Sequence, residues 1–554
     1  MNKRWLIAPV EPALQERLAR ELSLPAAVAQ VLIHRGYRDV AAARAFLNPQ
    51  LRQLSDPFEL PDMAAAVERL LAGIAKHERI VIYGDYDVDG ITSSALLGRV
   101  LHSAGATAAN FLPHRMDEGY GLSADGIARC LQEHKPNLLI AVDCGTSSPA
   151  EIAGLKREGV DVIVLDHHEP PEKLPECLLV NPKRCGGEPL ASVGVTFKLA
   201  HALLKHDRKL AETIDLRDHL DLVALGTVAD LVPLTGENRI LVRAGLERLP
   251  DTDKIGLRAL MDIADVPDKV RPYHIGFRLG PRLNAAGRLG DAMAALELLL
   301  TDDGARAAQL AKLLHGHNVE RQQIEKRIVQ EALAQAEPFV DDRVLVLENE
   351  AWHVGVIGIV ASRVLQEYYR PTVVIGHGGK GSCRSITGFS IVAALASCAD
   401  LLVRYGGHEM AAGLSIEPGK VEEFRGRLNE YAGQVLKAED LQRVVRADAV
   451  VRLGELDADF FAALDRLEPC GQNNPTPVFA ATGLRLRGAP SVIKKKHLKF
   501  SVTDGETVVE AIWWGRADAE LPATLDVAFL PEWHTFQGEG SVQLIVRDVR
   551  ASGV

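Results

Sequence analysis

Three aspartates occupy alternate positions in the segment VIYGDYDVDG, directly after a short apolar run. They are Asp85, Asp87 and Asp89. Like charges this close repel one another, and burying them is costly unless a positive charge lies between them. The segment is therefore either a solvated loop or one part of a metal site.

Similar residue types follow other apolar segments. Asp143 follows LLIAV, the triplet Asp166-His167-His168 follows VIVL, and Asp230 lies near the end of DLVALGTVADLVPL. Ligands of an open parallel sheet bind outside the carboxyl ends of its strands. A single aspartate there is often only a helix N-cap. Four converging acidic segments instead need a cation to offset their repulsion.

The chemistry of these side chains indicates which cation. Carboxylate oxygens combined with imidazole suit Mn²⁺ or Mg²⁺, and histidine favours Mn²⁺. The seven cysteines include no C-x-x-C pair, which argues against structural zinc and fits reduced thiols. The acids suffice for two ions with one bridging carboxylate. Two such ions about 3.5–4 Å apart polarise a phosphate and activate water for in-line attack.

The segments that must position these residues alternate between short strands and amphipathic helices, beginning at about residue 62. This pattern predicts a parallel sheet with helices on both faces. The predicted strands are RIVIYG, NFLP, NLLIAVDCG and VDVIVLDHH. The predicted helices are 63–76, ITSSALLGRVLHSAG, ADGIARCLQEH and PAEIAGLKREG.

The rest of the chain suggests further domains. Residues 215–300 are mostly helical in pattern, and 303–336 predict a long, charged helix that bridges two domains. A second α/β unit runs from about 343 to 431. From about 445, short strands separated by turn signals predict a small OB-like barrel.

Length and composition are those of an ordinary globular protein. The 554 residues predict three or four domains, with 47% hydrophobic and 25% charged residues. No apolar run reaches the ~18 residues of a membrane span, and no signal peptide is recognised, so we expect a cytoplasmic protein. The net charge of −11 argues weakly against nucleic acid unless a local basic groove exists.

The motifs GDYDVDG, VDCG, DHH and GTVADLVPL, in this order, resemble those of the DHH phosphoesterase family. RYGGHEMAAG is similar to the glycine-rich motif of the DHH-associated domain. The segments PHRMDEGYGL, IGFRLGPRLNAAGRL, WHVGVIGIVASR, GSCRS and LEPCGQNNPTPVF resemble its RecJ branch. This resemblance implies a single-stranded-DNA-specific 5′→3′ exodeoxyribonuclease that releases mononucleotides in DNA repair, recombination and mismatch repair.

The resemblance also implies an architecture. The expected domains are an N-terminal extension (1–60), a DHH catalytic domain (61–240), a helical region with the connecting helix (241–340), a DHH-associated domain (341–435) and an OB-like domain (445–554). We expect the active site in a cleft between the catalytic and DHH-associated domains, too narrow for a duplex.

Roles at the metal site follow from the same resemblance. The implied metal ligands are Asp87, Asp89, Asp143, Asp230 and His167, with Asp143 bridging. His168 is expected at the scissile phosphate or the attacking water, and Asp166 is expected to orient a histidine. Many relatives have histidine where this chain has Tyr83, so Asp85 is a further candidate ligand.

Other residues are expected to contact the strand. Ser382 and Arg384, with Arg115, suit a terminal phosphate. The remaining candidates are Gly406 and Gly407 for the nucleotide, His408 as a catalytic residue at the scissile phosphate, Arg278, Arg282 and Arg288 for the backbone, and Lys496 and Trp514 in the barrel. The alternatives are surface salt bridges for the arginines, a glycine turn opening a helix, and a solvated lysine loop. At least one of Trp513 and Trp514 is expected to be core.

Partners and competing functions follow from the resemblance too. It implies single-stranded DNA with a 5′ end, single-strand-binding protein and a RecQ-type helicase as partners, no membrane, and a monomer. Two alternatives stay open: a DHH phosphodiesterase acting on short oligonucleotides, and an inactive DHH scaffold protein. The NNPTPVF segment and the barrel tail disfavour the first, and the retained acids disfavour the second.

Overall fold

The computed structural model describes residues 3–114, 118–119, 121–536 and 539–553. The chain forms two compact units. Unit 2, which carries the strand-end acids, consists of Ala41–Val319 and Arg466–Thr476. Unit 1 consists of Met1–Val40, Glu320–Asp465 and Pro477–Val554. Within the described part of the chain, no helix is both long and apolar enough to span a membrane.

The N-terminal segment contains one strand and three helices. They are β1 (Arg4–Ile7), α1 (Pro12–Leu22), α2 (Ala26–His34) and α3 (Val40–Leu47). Trp5 of β1 donates an indole hydrogen bond to Asp548 at 2.8 Å, which ties this segment to the C-terminal barrel of unit 1.

Unit 2 is built on a five-stranded, entirely parallel sheet, as predicted. Its strands are β2 (Ile80–Gly84), β3 (Ala108–Phe111), β4 (Leu138–Val142), β5 (Asp161–Leu165) and β6 (Leu178–Val180), in the order β3-β2-β4-β5-β6. The helices between them are α4 (Met63–Ala75), α5 (Val88–Ser103), α6 (Ala124–His134) and α7 (Pro149–Arg157). Alternate strand residues enter two different cores: Ile80 and Ile82 lie in one, Val81 and Tyr83 in the other. Both faces of the sheet are therefore covered, which explains the nearly unbroken apolar strands.

A helical region completes unit 2. Its helices are α8 (Ser192–His206), α9 (Arg208–Thr213), α10 (Leu220–Ala229), α11 (Gly236–Arg248), α12 (Ile255–Ile263), α13 (Pro272–His274), α14 (Gly280–Leu289) and α15 (Met293–Leu300). A π-helical turn, Ile275–Leu279, separates α13 from α14. Helix α10 is apolar except at two positions and is buried almost throughout, as expected for a helix packed on all sides.

The predicted long helix is α16 (Gly304–Ala336), which begins in unit 2 and ends in unit 1. A mixed five-stranded sheet follows in the order β10-β11-β9-β8-β7. It contains β7 (Leu345–Glu348), β8 (Thr372–Ile375), β9 (Lys380–Arg384), β10 (Leu402–Gly407) and β11 (Ala411–Ile416). Its helices are α17 (Ile357–Tyr368), α18 (Ile391–Ala396) and α19 (Val421–Val435).

The C-terminal part of unit 1 is the predicted barrel. Its elements are β12 (Val444–Ala447), β13 (Ala449–Val450), α20 (Ala458–Asp465), β14 (Phe479–Leu486), β15 (Ser491–Ile493), β16 (His497–Thr503), β17 (Val508–Trp513), β18 (Thr524–Phe536) and β19 (Glu539–Ala551). Seven strands pair in the order β13-β14-β18-β19-β17-β16-β15, and pairing of β14 with β16 closes the sheet. Strand β12 pairs in parallel with β1.

Candidate metal centre and substrate-contacting residues

The strand-end acids converge at one edge of the parallel sheet in unit 2. Asp87 caps the N-terminus of α5, where its carboxylate accepts hydrogen bonds from the N–H groups of Asp89 (2.9 Å) and Gly90 (3.2 Å). Asp143 follows β4, the histidine pair follows β5, and Asp230 ends α10.

Three groups of side chains each place their ligand atoms within 4.8 Å of one another. The groups are Asp85-Asp87-Asp143, Asp89-His167-Asp230 and Asp143-His167-His168. The structure thus brings together every residue expected to hold a metal. Asp143 and His167 each belong to two groups.

Asp143 adopts an unusual backbone conformation for a position at the end of a strand. Its φ of 61° lies in the left-handed region, which aspartate tolerates better than most residues do. Its side chain is buried, and Oδ1 accepts a hydrogen bond from Ser192 Oγ at 2.9 Å. His167 Nε2 lies 3.5 Å from the same oxygen and 3.5 Å from Asp230 Oδ2.

Asp89 is held by the N-terminus of α8. Its carboxylate accepts hydrogen bonds from the N–H groups of Ser192 (2.7 Å) and Val193 (2.9 Å). These N–H groups have no partner within the helix, and the helix dipole favours a negative charge there. Ser192 therefore positions both Asp89 and Asp143. The sequence analysis missed this residue, whose only local signal is a serine at the start of an apolar segment.

Asp166 orients the histidine pair. Oδ1 accepts from the N–H of His167 (2.7 Å) and contacts His168 Nδ1 at 2.7 Å, while Oδ2 accepts from the N–H of Thr146 (3.0 Å). Asn181 donates to Thr146 Oγ1 (3.1 Å) and to the carbonyl of His168 (2.9 Å). Thr146 and Asn181 were also missed, because a lone polar residue after a strand gives no specific sequence signal.

The carboxylates of the cluster raise one another's pKa. Burial, followed by the charge of Asp87, raises the pKa of Asp89 to about 7. Burial and the charges of Asp89 and Asp87 raise the pKa of Asp230 to about 8. The pKa of Asp143 is raised well above its ordinary value by burial and the same neighbouring acids. A cation beside these carboxylates would offset their repulsion and favour their ionised forms, and the oxygen and imidazole donors fit Mn²⁺ or Mg²⁺.

The two histidines differ in protonation. Burial and the charge of His168 lower the pKa of His167 to about 4, so its ring is neutral and able to bind a metal. Burial opposes protonation of His168, but the hydrogen bond that its Nδ1–H donates to Asp166, together with the negative charges of Asp166, Asp230 and Asp87, raises its pKa to about 9. Burial would raise the pKa of Asp166, but the hydrogen bond and positive charge of His168, together with the hydrogen bond from Thr146, lower it below its ordinary value.

Tyr83 does not join the cluster. Its ring lies in the core on one face of the sheet, and its hydroxyl donates to the carbonyl of Gly121 at 3.2 Å. Asp85, two residues later, is fully buried and belongs to the group with Asp87 and Asp143. Asp85 therefore lies among the candidate metal ligands, whereas Tyr83 does not.

The predicted backbone-binding arginines lie in unit 2 on the π-helical turn and α14. The guanidinium of Arg278 donates to the backbone carbonyl of Asp265 and lies 3.6 Å from the carboxylate of the same residue. This contact is the surface salt bridge that the sequence analysis gave as the alternative role of the arginines. Arg282 donates to the carbonyl of Arg278 at 2.6 Å and to His315 Nδ1 at 3.3 Å. Arg288 is half-buried on α14. Arg115 lies outside the described residues.

Ser382 and Arg384 lie together on β9 in unit 1. Arg384 donates to Ser382 Oγ at 3.3 Å and to the carbonyl of Cys383 at 2.8 Å. A Cβ atom at Gly358, in the first turn of α17, would lie 2.9 Å from Ser382 Oγ and 3.2 Å from an Arg384 guanidinium nitrogen. The pair therefore sits directly against the helix N-terminus.

Gly406, Gly407 and His408 lie in the β10–β11 hairpin rather than in a turn that opens a helix. Gly407 has a φ of 143°, and a Cβ atom there would lie 2.5 Å from Ala412 Cα. Only glycine fits this close approach of two strands. His408 is exposed, and its N–H donates to the carbonyl of Ala411 at 2.8 Å.

The lysine run forms the tight turn between β15 and β16. Lys494 and Lys495 have φ values of 48° and 55°, as in a type I′ hairpin turn, and Lys496 is exposed beside them. Trp514 is 50% exposed and meets His497 edge-on, with ring centroids 4.6 Å apart. Trp513 is half-buried, so neither tryptophan is a core residue, and the expectation that at least one would be was wrong.

Comparison with known families defines the class of this protein. Residues 79–227 match the DHH family, N-terminal domain; residues 341–434 match the DHHA1 domain; and residues 447–548 match the RecJ OB domain. A sheet edge rich in carboxylate and imidazole, followed by these two domains, makes the chain a metal-dependent phosphodiesterase of the DHH class.

Full-length relatives narrow the class further. The chain is 36% identical over 556 residues to the single-stranded-DNA-specific exonuclease RecJ of Thermus thermophilus, covering 99% of this chain and 78% of that protein. It is 36% identical to the Bacillus subtilis RecJ, covering 93% of this chain and 66% of the relative. The crystal structure of T. thermophilus RecJ in complex with Mn²⁺ matches with a TM-score of 0.88 and 33% identity, over 100% of this chain and 80% of that one. This chain belongs to the RecJ family of single-stranded-DNA-specific exonucleases.

Proposed function

We propose that this enzyme degrades single-stranded DNA in the 5′→3′ direction and releases mononucleotides, using two divalent cations, Mn²⁺ or Mg²⁺. The observation that carries the proposal is the presence of three groups of candidate ligands, in each of which the ligand atoms lie within 4.8 Å of one another; two of the groups share Asp143 and two share His167. We propose Asp143 as the bridging ligand, because it belongs to one group with Asp85 and Asp87 and to another with His167.

The chain's own residues divide the work at this centre. The proposed ligands are Asp85, Asp87, Asp89, Asp143, His167 and Asp230. Cations held there supply Lewis-acid chemistry, neutralising the charge of the phosphodiester and lowering the pKa of water. Ser192 and the α8 N-terminus hold the carboxylates of Asp89 and Asp143 in place before the metal arrives.

His168 is proposed to donate a hydrogen bond to the scissile phosphate. Its Nδ1 is bound to Asp166 at 2.7 Å, which fixes the orientation of the ring beside the candidate metal ligands. Asp166 is a positioning residue in this scheme, because it acts through the imidazole.

Ser382, Arg384 and the N-terminus of α17 are proposed to bind a terminal 5′-phosphate. A guanidinium and a hydroxyl beside the positive end of a helix dipole together suit a phosphate group. Recognition of that phosphate would make a free 5′ end a requirement and so set the polarity. Arg115 is proposed as a further contact to the same phosphate.

The remaining predicted contacts are proposed to hold the strand. Gly406, Gly407 and His408 present an exposed hairpin edge to a nucleotide, and Arg282 and Arg288, with Arg278, supply cations near its backbone. In the barrel, Lys496 and Trp514 combine a charge with an exposed ring, which is the general means of binding single strands.

The decisive experiment uses one strand labelled at its 5′ or 3′ end and digested with added Mn²⁺. The proposal expects immediate release of labelled mononucleotide from the 5′ end, retention of 3′ label until late, and little attack on a blunt duplex. Asp143→Ala should abolish cleavage. Early loss of 3′ label refutes the polarity, and faster hydrolysis of a dinucleotide RNA than of long DNA would favour a short-oligonucleotide phosphodiesterase.

The phosphate site is tested separately. Arg384→Ala should reduce kcat/KM on a 5′-phosphorylated strand by roughly 10- to 100-fold, as expected for loss of charge-assisted hydrogen bonds. The loss should be much smaller on a 5′-hydroxyl strand. Arg452→Ala, at an exposed arginine of unit 1, is the matched control. Equal losses on both strands would contradict the assignment.

We further propose, by family membership, a role in DNA repair, recombination and mismatch repair, with single-strand-binding protein and a RecQ-type helicase supplying substrate. A pull-down with each purified partner tests these interactions directly.

A further inference from the structure

Three large apolar side chains in the described part of unit 2 are unusually exposed. They are Leu231 (72%), Phe277 (66%) and Tyr273 (59%), and every other large apolar side chain described in that unit is less exposed. We call these three residues the apolar rim. Side chains left in water do not stabilise the fold, and two of these three, Tyr273 and Phe277, lie in contact, which makes them candidates for contacting a ligand.

The segments that carry the apolar rim adjoin the end of α10, which supplies the candidate metal ligand Asp230. Leu231 directly follows Asp230 at the end of α10. The π-helical turn that carries Phe277 leads into α14, where a Cβ atom at Gly280 would lie 3.6 Å from Ala229 Cβ. The segment with the two rings is therefore packed against the end of α10 that supplies Asp230.

Leu231 has a second unfavourable feature. Its φ of 61° places the backbone in the left-handed region, which is disfavoured for a leucine. The residue thus combines backbone strain with an apolar side chain in water, immediately beside a candidate metal ligand. Strain of this kind is characteristic of functional sites.

The aromatic rings of Tyr273 and Phe277 together form a flat, exposed surface. Tyr273 and Phe277 are stacked, with centroids 4.8 Å apart and planes inclined by 25°. They project from α13 and from a π-helical turn, a local structure that often occurs at functional sites. The guanidinium groups of Arg278 and Arg282 lie on the same segment. Exposed rings beside cations are the combination that binds the bases and backbone of a single strand.

We propose that the apolar rim binds nucleobases: the rings of Tyr273 and Phe277 stack on a base, and Leu231 contacts the nucleoside beside the scissile phosphate. The inference rests on the proposed nuclease function and adds to it a base-contacting surface that holds the strand at the metal centre. Since every base has a π-face, such a surface grips DNA without reading its sequence.

The rings are tested by binding in EDTA, where no cleavage occurs. Phe277→Leu keeps apolar bulk but removes the ring, whereas Phe277→Trp keeps a stacking face. On a fluorescent oligo(dT) strand, the leucine variant should raise Kd by about 5- to 150-fold and the tryptophan variant should not. On a strand with an abasic site at the contacted position, wild type and Phe277→Leu should bind equally. Unchanged affinity on oligo(dT), or an equal loss on a wholly abasic strand, overturns the stacking role.

Leu231 is tested by opposite effects on stability and activity. Leu231→Asn relieves the backbone strain, because asparagine tolerates the left-handed conformation, so Tm should equal or exceed that of the wild type. The kcat/KM on oligo(dT) should fall several-fold, and the difference should vanish when the terminal nucleosides are abasic. Leu313→Asn, at another exposed leucine of unit 2, should leave cleavage unchanged. Normal cleavage by Leu231→Asn, or an equal loss on the abasic strand, overturns the proposed contact.

Failure of this inference is distinguishable from failure of the proposed function. If wild-type protein with Mn²⁺ releases no nucleotide from a single strand, the nuclease proposal fails. If the wild type cleaves normally and the rim variants behave as wild type on every strand, only the base-contacting role fails.

Discussion

Replacing Asp143 with asparagine should stabilise the metal-free protein while it abolishes metal binding. The ligand oxygens of Asp85, Asp87 and Asp143 lie within 4.8 Å of one another, so at an effective dielectric constant of about 20 each ionised pair costs about 3.5 kcal/mol or more. Asp143 lies beside two such carboxylates, so the total repulsion on its charge is about 7 kcal/mol when all three are ionised. Protonation relieves part of this repulsion, as the raised pKa of Asp143 indicates, and we expect about 2–4 kcal/mol to appear as added stability.

The substitution changes little else. Asparagine is isosteric with aspartate, tolerates the φ of 61°, and can still accept the hydrogen bond from Ser192. In the wild type, by contrast, Mn²⁺ at 100 times its Kd should stabilise the fold by about 2.7 kcal/mol.

Thermal unfolding, followed by calorimetry in EDTA and in Mn²⁺, measures both effects. The transition that Mn²⁺ raises in the wild type belongs to the unit that holds the metal. In EDTA, Asp143→Asn should raise Tm of that transition by several degrees. In Mn²⁺ the variant should show no further rise and no cleavage.

Asp251→Asn, which removes an exposed carboxylate from the same unit, should leave both curves unchanged. A lower Tm of Asp143→Asn in EDTA would refute the reasoning, since it would mean that local hydrogen bonds outweigh the repulsion between carboxylates. A Tm that still rises with Mn²⁺ would show that Asp143 is not required for metal binding.

Three further predictions concern packing and titration in unit 2. A Cβ atom at Gly226 would lie 2.3 Å from Thr92 Oγ1, so Gly226→Ala should displace α10 and weaken Mn²⁺ binding about 10- to 100-fold, measured by calorimetry. The buried Arg239 donates five hydrogen bonds to backbone carbonyls, four of them in residues 466–469. Arg239→Lys should therefore lower the free energy of unfolding, measured by urea denaturation, by about 3 kcal/mol or more. Burial and the charge of Lys254 lower the pKa of His219 from 6.5 to about 4. Between these pH values the histidine is protonated in the unfolded chain but not in the folded one, so the free energy of unfolding should fall by about 3 kcal/mol as pH drops from 6.5 to 4. His219→Gln should flatten that part of the pH–stability curve.

Matched variants separate these effects from general damage. Gly154→Ala on α7, where the nearest atom to an added Cβ is 3.9 Å away, should bind Mn²⁺ normally. Arg243→Lys, on the same helix as Arg239 but 38% exposed, should cost far less stability. The first prediction is contradicted if Gly226→Ala binds Mn²⁺ with unchanged affinity. The second is contradicted if Arg239→Lys loses no more stability than Arg243→Lys, and the third if the pH–stability curve of His219→Gln equals that of the wild type.

Much of the fold could be predicted from the sequence because local patterns report local structure. Continuous apolar runs predicted the parallel strands, since a sheet covered on both faces leaves no polar side for alternation. The charged 33-residue helix Gly304–Ala336 was likewise predicted from its helical pattern. The acids at the strand ends could be expected to meet, because parallel strands deliver their carboxyl ends to one edge.

What only the tertiary structure decided involves residues far apart in the chain. Ser192 reaches Asp89 and Asp143, and Asn181 reaches Thr146, because helices and loops distant in sequence pack against the same edge. No periodicity encodes such contacts. The left-handed backbone of Asp143 and the exposed Leu231 are equally invisible in the sequence, since both conformations are intrinsically unfavourable and persist only through the surrounding packing. The sequence alone thus determined which chemical groups this protein carries and on which elements, whereas packing decided their distances, their charges and their supporting partners.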